Sequence, residues 1–341
     1  MKIVALFPET EQGLDNQLLN TTKAIGLPDF LEHTEHELVI LKNGETDLDQ
    51  HLSDADIIIS APFYPAYLTR KRIEQAPKLK LAITAGVGSD HVDLEAASEH
   101  DVAVVEVTGS NTVSVAEHAV MDLLIILRNY MEGHRQAVEG EWNLSKVGNQ
   151  ARELQHKTIG IFGFGRIGQL VAERLKPFNV NIQHYDPINQ KDSELSHFVE
   201  FEELVRTSDA ITIHAPLTPS TDTLFDADVL SQMKTGSYLV NTARGKIVDT
   251  DALVAAVNSG HIQGYAGDVW YPQPAPATHP WRTMPRNGMT IHYSGMTLES
   301  QQRIEDGVKD ILTRFFNNEP FQKKDIIVDS GRIASSSYTA K

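Results

Sequence analysis

Thr158-Ile159-Gly160-Ile161-Phe162-Gly163-Phe164-Gly165-Arg166-Ile167-Gly168 is an apolar, β-prone run that ends in glycines spaced G-x-G-x-x-G. From Gln169 to Lys176 the pattern turns helical, so the order is strand, glycine turn, helix. Gly163 permits the tight turn, Gly165 lets the backbone approach a pyrophosphate, and Gly168 lets helix and strand pack closely. The helix start, with Arg166 and Ile167 in its first turn, offers free N–H groups to phosphates. Taken alone, the six residues also fit a glycine turn with no ligand. The next strand, Asn181 to Tyr185, is followed by Asp186 at the separation where a carboxylate accepts bonds from the adenosine ribose. Asp186 would repel a 2′-phosphate, and Pro187 stands where an arginine would welcome one, so the expected cofactor is NAD rather than NADP. The competing reading of Asp186 is a surface turn residue.

Outward from this motif, short β-rich runs alternate with helical patterns. Ile3 to Phe7, Leu38 to Leu41, Asp56 to Ser60, Leu79 to Ala85 and Val102 to Val107 form one series. Thr158 to Phe162, Asn181 to Tyr185, Ala210 to His214, Ser237 to Asn241, Gly264 to Val269 and Met289 to His292 form a second. The alternation predicts an α/β protein of two doubly wound, parallel-sheet, Rossmann-like domains joined by long helices, with the active site in the cleft. Ser114 to Tyr130 has helical spacing, with Ser114 and Glu117 placed as a capping box. Leu298 to Phe316 is amphipathic and would carry the chain back to the first domain. The expected division is a discontinuous substrate domain, 1–112 with 296–341, and an NAD-binding domain, 113–295. The serine-rich tail after Asp329 shows no usable pattern.

The 341 residues suit two domains of about 150 each. With 46 acidic against 30 basic residues the formal net charge is −16, which repels phosphate backbones and anionic membranes, so no nucleic acid partner is expected. A carboxylate substrate meets the same field and needs a local cation. The absence of cysteine removes disulfides, thiolate nucleophiles and iron–sulfur ligation, leaving redox work to a dissociable organic cofactor. The longest apolar stretch, Ala119 to Leu127, is broken by Asp122 and falls short of the roughly 20 residues a membrane span requires. Met1-Lys2 leads directly into a strand without a secretory pattern, so a cytoplasmic protein is expected.

Ligands of open parallel sheets lie beyond the carboxyl ends of the strands. Three segments there carry chemistry. Asn241-Thr242-Ala243-Arg244-Gly245 offers a planar cationic fork for a carboxylate, although a surface ion pair is the common fate of an arginine. Asp268-Val269-Trp270-Tyr271-Pro272-Gln273-Pro274 and Thr290-Ile291-His292-Tyr293-Ser294-Gly295 place Gln273 and His292 where the two could meet.

With these segments in place, the sequence resembles the D-specific 2-hydroxyacid dehydrogenase superfamily, which sets an arginine beside a Glu-His couple at these positions. Alcohol-oxidising members carry a glutamate where this chain has Gln273. An alcohol must lose a hydroxyl proton, and a carboxylate stabilises the imidazolium that receives it. Formate yields hydride from C–H with no O–H proton to remove, so the resemblance narrows to NAD-dependent formate dehydrogenases. Pro62-Phe63-Tyr64-Pro65-Ala66-Tyr67, Ala85-Gly86-Val87-Gly88-Ser89-Asp90-His91-Val92 and Asn111-Thr112-Val113-Ser114-Val115-Ala116-Glu117-His118 look like that family, and the likeness runs over nearly the whole chain. It implies a formate carboxylate held by Arg244, the Asn111 amide and the Val87 N–H, with His292 and Gln273 as polar neighbours and Pro62 and Phe63 as an apolar wall. It also implies that Pro216, Thr242, Asp268, His292 and Ser294 join the glycine turn and Asp186 around NAD, and that the protein is a homodimer. Val87 replaces the family's usual isoleucine, and Thr112-Val113 a Ser-Ile pair.

His33 and His36, flanked by Glu32, Glu35 and Glu37, permit a metal reading but fit a solvated helix face better, and no metal is expected. Ser89, Asp90, His91 and Asp93 lack the G-x-S-x-G elbow of a hydrolase and suit loop and cap roles. His118 suits a packed helix position. Two rivals remain open: a 2-hydroxyacid dehydrogenase or glyoxylate-type reductase with an unusual glutamine, and an NAD-binding interaction protein that signals by closure.

Overall fold

A computed structural model describes residues 1–7, 9, 22–41, 44–62, 64–335 and 338. The chain divides into two compact units, Met1–Asn111 with Met296–Ala340, and Thr112–Gly295. Among the described residues each holds one seven-stranded sheet.

The first unit is built on β1 (Lys2–Leu6), β2 (Glu37–Leu41), β3 (Ile57–Ser60), β4 (Leu81–Thr84) and β5 (Ala103–Glu106), all parallel. The second holds β6 (Thr158–Phe162), β7 (Asn181–Tyr185), β8 (His197–Phe198), β9 (Ala210–Ile213), β10 (Ser237–Asn241), β11 (Ile262–Gly267) and β12 (Asn287–Met289). β13 (Ile326–Asp329) and β14 (Arg332–Ile333) return to the first sheet, where β13 runs antiparallel to β5. The strand orders are β14-β13-β5-β4-β3-β1-β2 and β12-β11-β10-β9-β6-β7-β8.

Parallel strands buried on both faces divide their side chains by the period of two. Ile3 and Ala5 enter one core of the first unit, while Val4 and Leu6 enter the core on the opposite face. In the second unit Ile159 and Ile161 face one core and Phe162 the other. The helix Leu298–Phe316 lays Ile304, Val308, Ile311 and Leu312 on the first unit's core at helical spacing. Its N-cap is Thr297, whose hydroxyl accepts from Ser300 N at 3.2 Å. No helix among the described residues is long and apolar enough to cross a membrane.

Several local expectations need correction. Ser114 does not cap a helix: the helix runs Thr112–Leu127, so Ser114 lies in its first turn, and Glu117 pairs with Arg174 at 3.4 Å. That helix stops at Leu127; Asn129 has φ 52°, and a second helix spans Tyr130–Glu139. His33 and His36 lie on no helix face, because the preceding helix is Leu27–Leu31 and β2 begins at Glu37. His36 instead stacks on Phe316 with ring centroids 4.0 Å apart. The last strand of the second series is Asn287–Met289, so His292 lies in the turn beyond it, not at the strand's end.

Candidate active site

In the second unit the strand order reverses between β6 and β9, and their carboxyl ends open a crevice at that switch point. Gly163 turns there with φ 93°, and a Cβ on it would lie 2.5 Å from Ala215 N, against the backbone that leaves β9. A Cβ on Gly168 would sit 2.3 Å from Gly163 O, whereas one on Gly165 would meet nothing within 4 Å. The turn is thus closed where strand and helix pack and open where a ligand approaches. The helix Arg166–Leu175 begins without a side-chain cap, leaving its leading N–H groups to an outside acceptor. Arg166, exposed at its first position, adds positive charge where the helix dipole is already positive, an arrangement that suits a pyrophosphate.

Asp186 is almost buried and does more than offer a ribose acceptor. Oδ2 accepts from Phe164 N at 2.8 Å, inside the glycine turn, and Oδ1 accepts from Ile188 N and Asn189 N at 2.8 and 2.9 Å. Three of a carboxylate's roughly four acceptor positions shape the turn, and about one remains for a hydroxyl. Pro216 and Thr242 follow β9 and β10 on the same edge of this sheet. His214, beside Gly163, was not singled out in the sequence. Its Nε2 lies 2.9 Å from Thr212 Oγ1, and burial depresses its pKa to about 3, so it is neutral near pH 7.

β10 leads into Arg244 through a turn braced by Asn241, whose Oδ1 accepts from Ala243 N at 3.0 Å and whose Nδ2 donates to Arg244 O at 2.9 Å. Arg244 Nη1 donates to Ala243 O at 2.7 Å. Gly245 lets this turn press on Trp270, whose carbonyl carbon would lie 2.5 Å from a Cβ there. Trp270 Nε1 donates to Thr290 O at 2.6 Å, tying the segment that bears Gln273 to the one that bears His292. The two side chains meet: His292 Nδ1 donates to Gln273 Oε1 at 2.8 Å. An amide oxygen only accepts, so Nδ1 carries the proton and Nε2 is turned to other partners.

His292 has φ 61°, in the left-handed region, and the loop around it is clamped by fully buried Asp268. Asp268 Oδ1 accepts from Thr290 Oγ1 at 2.5 Å and Tyr293 N at 2.9 Å, while Oδ2 accepts from Ser294 N at 2.6 Å. Asp122 lies buried nearby with neither oxygen hydrogen-bonded, and its pKa is pushed well up by burial and then by the charge of Asp268. Burial lowers the pKa of His118 and raises that of Asp122, so both shifts disfavour the charged forms of this 3.6 Å pair. His118 also packs edge-on against Tyr293, as a packed helix residue should.

In the first unit the turn at Val87 is fixed by Glu106, an acid at the end of the apolar β5. Its Oε2 accepts from Gly88 N at 2.9 Å and from Ser89 Oγ at 3.2 Å. Pro62 packs beside this turn, its Cδ 3.0 Å from where a Gly86 Cβ would be. Asn111 Oδ1 is buried with no hydrogen-bond partner. Phe63 lies outside the described residues. Asp93 caps the Leu94–Glu99 helix, accepting from Ala96 N at 2.8 Å, and His91 Nε2 lies 2.8 Å from Ser60 Oγ, which are structural roles. Among the described residues no group of three His, Asp or Glu is arranged to hold a metal ion.

The second unit therefore joins Gln273 to His292 and Asp268 to Ser294, sets the turn of Arg244 against Trp270, and gathers the glycine turn, Asp186, Pro216 and Thr242 along its sheet edge. The first unit brings Pro62 to Val87. Sequence reasoning missed Glu106, Asn241 and His214. Glu106 had a visible signal, a charge ending the run Ala103-Val104-Val105; the other two look like ordinary strand-end polar residues.

A strand, uncapped glycine turn and ribose-side acid, followed by an arginine and a hydrogen-bonded His–Gln pair in the segments beyond later strands, define a dinucleotide-dependent dehydrogenase scaffold. Residues 120–294 match the family described as D-isomer specific 2-hydroxyacid dehydrogenase, NAD binding domain. A mitochondrial formate dehydrogenase of Solanum tuberosum is 45% identical, covering 98% of this chain and 90% of its own. The formate dehydrogenase of Candida boidinii is 43% identical over 99% of this chain and 98% of its own. The solved structure of an NAD-dependent formate dehydrogenase from Staphylococcus aureus, in complex with NAD, superposes with a TM-score of 0.95 at 79% identity, covering 97% of this chain and 100% of that one. The chain belongs to the D-isomer specific 2-hydroxyacid dehydrogenases and, among them, to the formate dehydrogenase family.

Proposed function

We propose that this protein oxidises formate to carbon dioxide with NAD as hydride acceptor. The observation that carries the reading is the 2.8 Å bond from His292 Nδ1 to Gln273 Oε1, which gives the histidine a neutral partner. A hydroxyacid must surrender a proton as well as a hydride, and its enzyme needs a base with charge behind it. Formate, an anion, loses only its hydride and leaves as neutral carbon dioxide, so charge balances with no proton to take. NAD, when bound, supplies the electrophilic carbon.

In this reading the Arg244 guanidinium and the Asn111 amide hold the two carboxylate oxygens, and the Val87 N–H adds a third donor. His292 Nε2 faces the substrate, and Asp268 keeps the loop of His292 and Ser294 from shifting. Pro62 and Phe63 exclude water, which strengthens each polar contact on a substrate this small. With no covalent step to perform, the residues act by orientation, an effect worth up to roughly 7 to 11 kcal/mol.

The test is NADH formation, read by near-ultraviolet absorbance, with formate and NAD, beside glyoxylate or pyruvate with NADH. Formate-dependent NADH is expected, and turnover only in the second arm would move the protein to the 2-hydroxyacid dehydrogenases. Silence in both, with NAD still bound, would make it an interaction protein. Arg244→Ala should lower kcat/KM for formate by roughly two to three orders of magnitude, the cost of leaving a charge unpaired. NAD affinity should stay near normal, because the glycine turn and Asp186 are untouched.

Homodimer formation belongs to the same proposal. Val138, Trp142 and Leu144 are 71%, 85% and 74% exposed within a few residues of one another, with Tyr130 and Met131 also exposed. Such a cluster of large apolar side chains asks for a covering surface. Replacing both Trp142 and Leu144 with Asp should convert a sedimenting dimer to monomer; an unchanged mass would remove this segment from the interface.

A further inference from the structure

The second unit has a cavity at the end of its sheet opposite the glycine turn. Arg152, Lys157, Asp209, Lys234, Ser237 and Tyr238 contribute to its lining, and its volume is about 100 Å³. Lys157, Asp209 and Ser237 stand at or next to the amino ends of β6, β9 and β10, whereas Gly163 follows the carboxyl end of β6. Six residues of extended chain separate the two ends, roughly 20 Å.

The charge here runs against the rest of the chain. In a protein with 46 acids and 30 bases, basic side chains are expected to find carboxylates, and Arg135 reaches Glu132, Glu139 and Glu141. Arg152 and Lys157 have no carboxylate partner among the described residues; the Arg152 guanidinium donates only to the backbone oxygens of Asn149 and Ala151. The one acid of the lining, Asp209, is committed twice, accepting from Thr158 N at 2.8 Å and pairing with Lys234 at 3.0 Å. Arg286 is bonded to Gln150 through Nε, at 2.9 Å from Oε1, and through Nη2, is favoured by neighbouring Tyr238, and lies close enough to Arg152 to feel its charge. Its Nη1 is buried with no hydrogen bond. The hydroxyl of Ser237, 2% exposed in the cavity lining, has no partner either. Arg152 is exposed and Lys157 half-buried, so water screens them, but like charges gathered at one cavity still repel, and an anion between them offsets that repulsion. The space takes several waters, and so a tetrahedral oxyanion with acceptors on every side.

We propose that this cavity is a phosphate-group site, separate from the catalytic and cofactor residues, in which Arg152 and Lys157 hold a dianionic phosphoryl group. The group arrives as free inorganic phosphate or as a small phosphate monoester, and the oxyanion chemistry is the same.

The experiment is calorimetric titration of the NAD-saturated protein, without formate, with inorganic phosphate and in parallel with methyl phosphate. Chloride is adjusted to hold ionic strength constant, and NAD saturation fills the protein's other phosphate-binding surface. One site per chain is expected, weakened at least tenfold by Lys157→Gln and by Arg152→Gln, with formate kinetics in phosphate-free buffer unchanged in both. Uptake of inorganic phosphate alone assigns the free ion, and uptake of both admits a monoester. No uptake by the wild-type protein, or uptake that both variants leave intact, overturns the proposal. If Arg152→Gln fails to fold, Lys157→Gln decides by itself.

Discussion

Gln273 is the residue on which the chemistry turns. Its amide oxygen accepts a hydrogen bond from His292 Nδ1–H without adding charge. Gln273→Glu would set a carboxylate beside the imidazole and near the substrate anion. Two like charges about 6 Å apart at an effective dielectric near 20 repel by about 3 kcal/mol, a factor on the order of a hundred in kcat/KM. The variant should also acquire a pH dependence, because a carboxylate partner favours the imidazolium. Formate kcat/KM followed from pH 5 to 9 checks both effects, and a profile superimposable on wild type would refute this role for Gln273. His214 makes a separate prediction about stability. Its folded pKa, about 3, lies below the unfolded value near 6.5, so only the unfolded chain takes up a proton between them. The stabilisation is complete above pH 6.5 and is lost as pH falls toward 3, by up to about 1.4 kcal/mol per pH unit. His214→Asn should flatten that part of the urea stability profile; an equally steep fall in the variant would assign the acid sensitivity elsewhere.

Elements whose partners lie next to them in the fold could be read from the sequence, and elements controlled from a distance could not. Parallel strands buried on both faces need apolar residues on both, which is why Thr158–Phe162 and Ser237–Asn241 are legible to the residue, while Asn181–Tyr185, buried only at alternate positions, is legible from its period of two. The helix Leu298–Phe316 is equally legible, carrying its own cap and its own stripe. Met289-Thr290-Ile291-His292 has strand composition, yet the ladder stops at Met289 because Asp268, more than twenty residues upstream, takes the Thr290 hydroxyl and the N–H groups of Tyr293 and Ser294. Local propensity lost there to one buried carboxylate, and the result is the turn that presents His292. Ser114 and Glu117 mimic a capping box by spacing alone, but Arg174 claims the glutamate. The candidate site followed the same division. Arg244, Gln273 and His292 were visible as strand-end chemistry, whereas the braces Asn241 and Glu106 became evident only from the backbone groups they hold.

At the scale of the whole chain, a connection that spans most of the sequence bears on a small part of the site. Tyr338, in the serine-rich tail, has no local pattern around it in the sequence because its partner lies hundreds of residues away. β13 adds antiparallel to β5, and Asp325 Oδ1 accepts from Thr108 N at 3.0 Å. The Tyr338 hydroxyl then accepts from Ser89 N at 2.7 Å across 249 residues of sequence. Ser89 is also bonded to Glu106, so the tail and β5 hold the Val87 turn from two sides. Tyr338→Phe leaves a buried N–H unpaired, which should cost about 1–3 kcal/mol of stability. If the turn presents the Val87 N–H to formate, the variant's KM for formate should rise several-fold, while NAD affinity, set in the other unit, stays constant. Steady-state kinetics beside equilibrium dialysis of NAD separates the two. A stability loss with an unchanged KM would make the tail a purely structural strap, and a parallel loss of NAD affinity would mean that the damage had spread beyond the first unit.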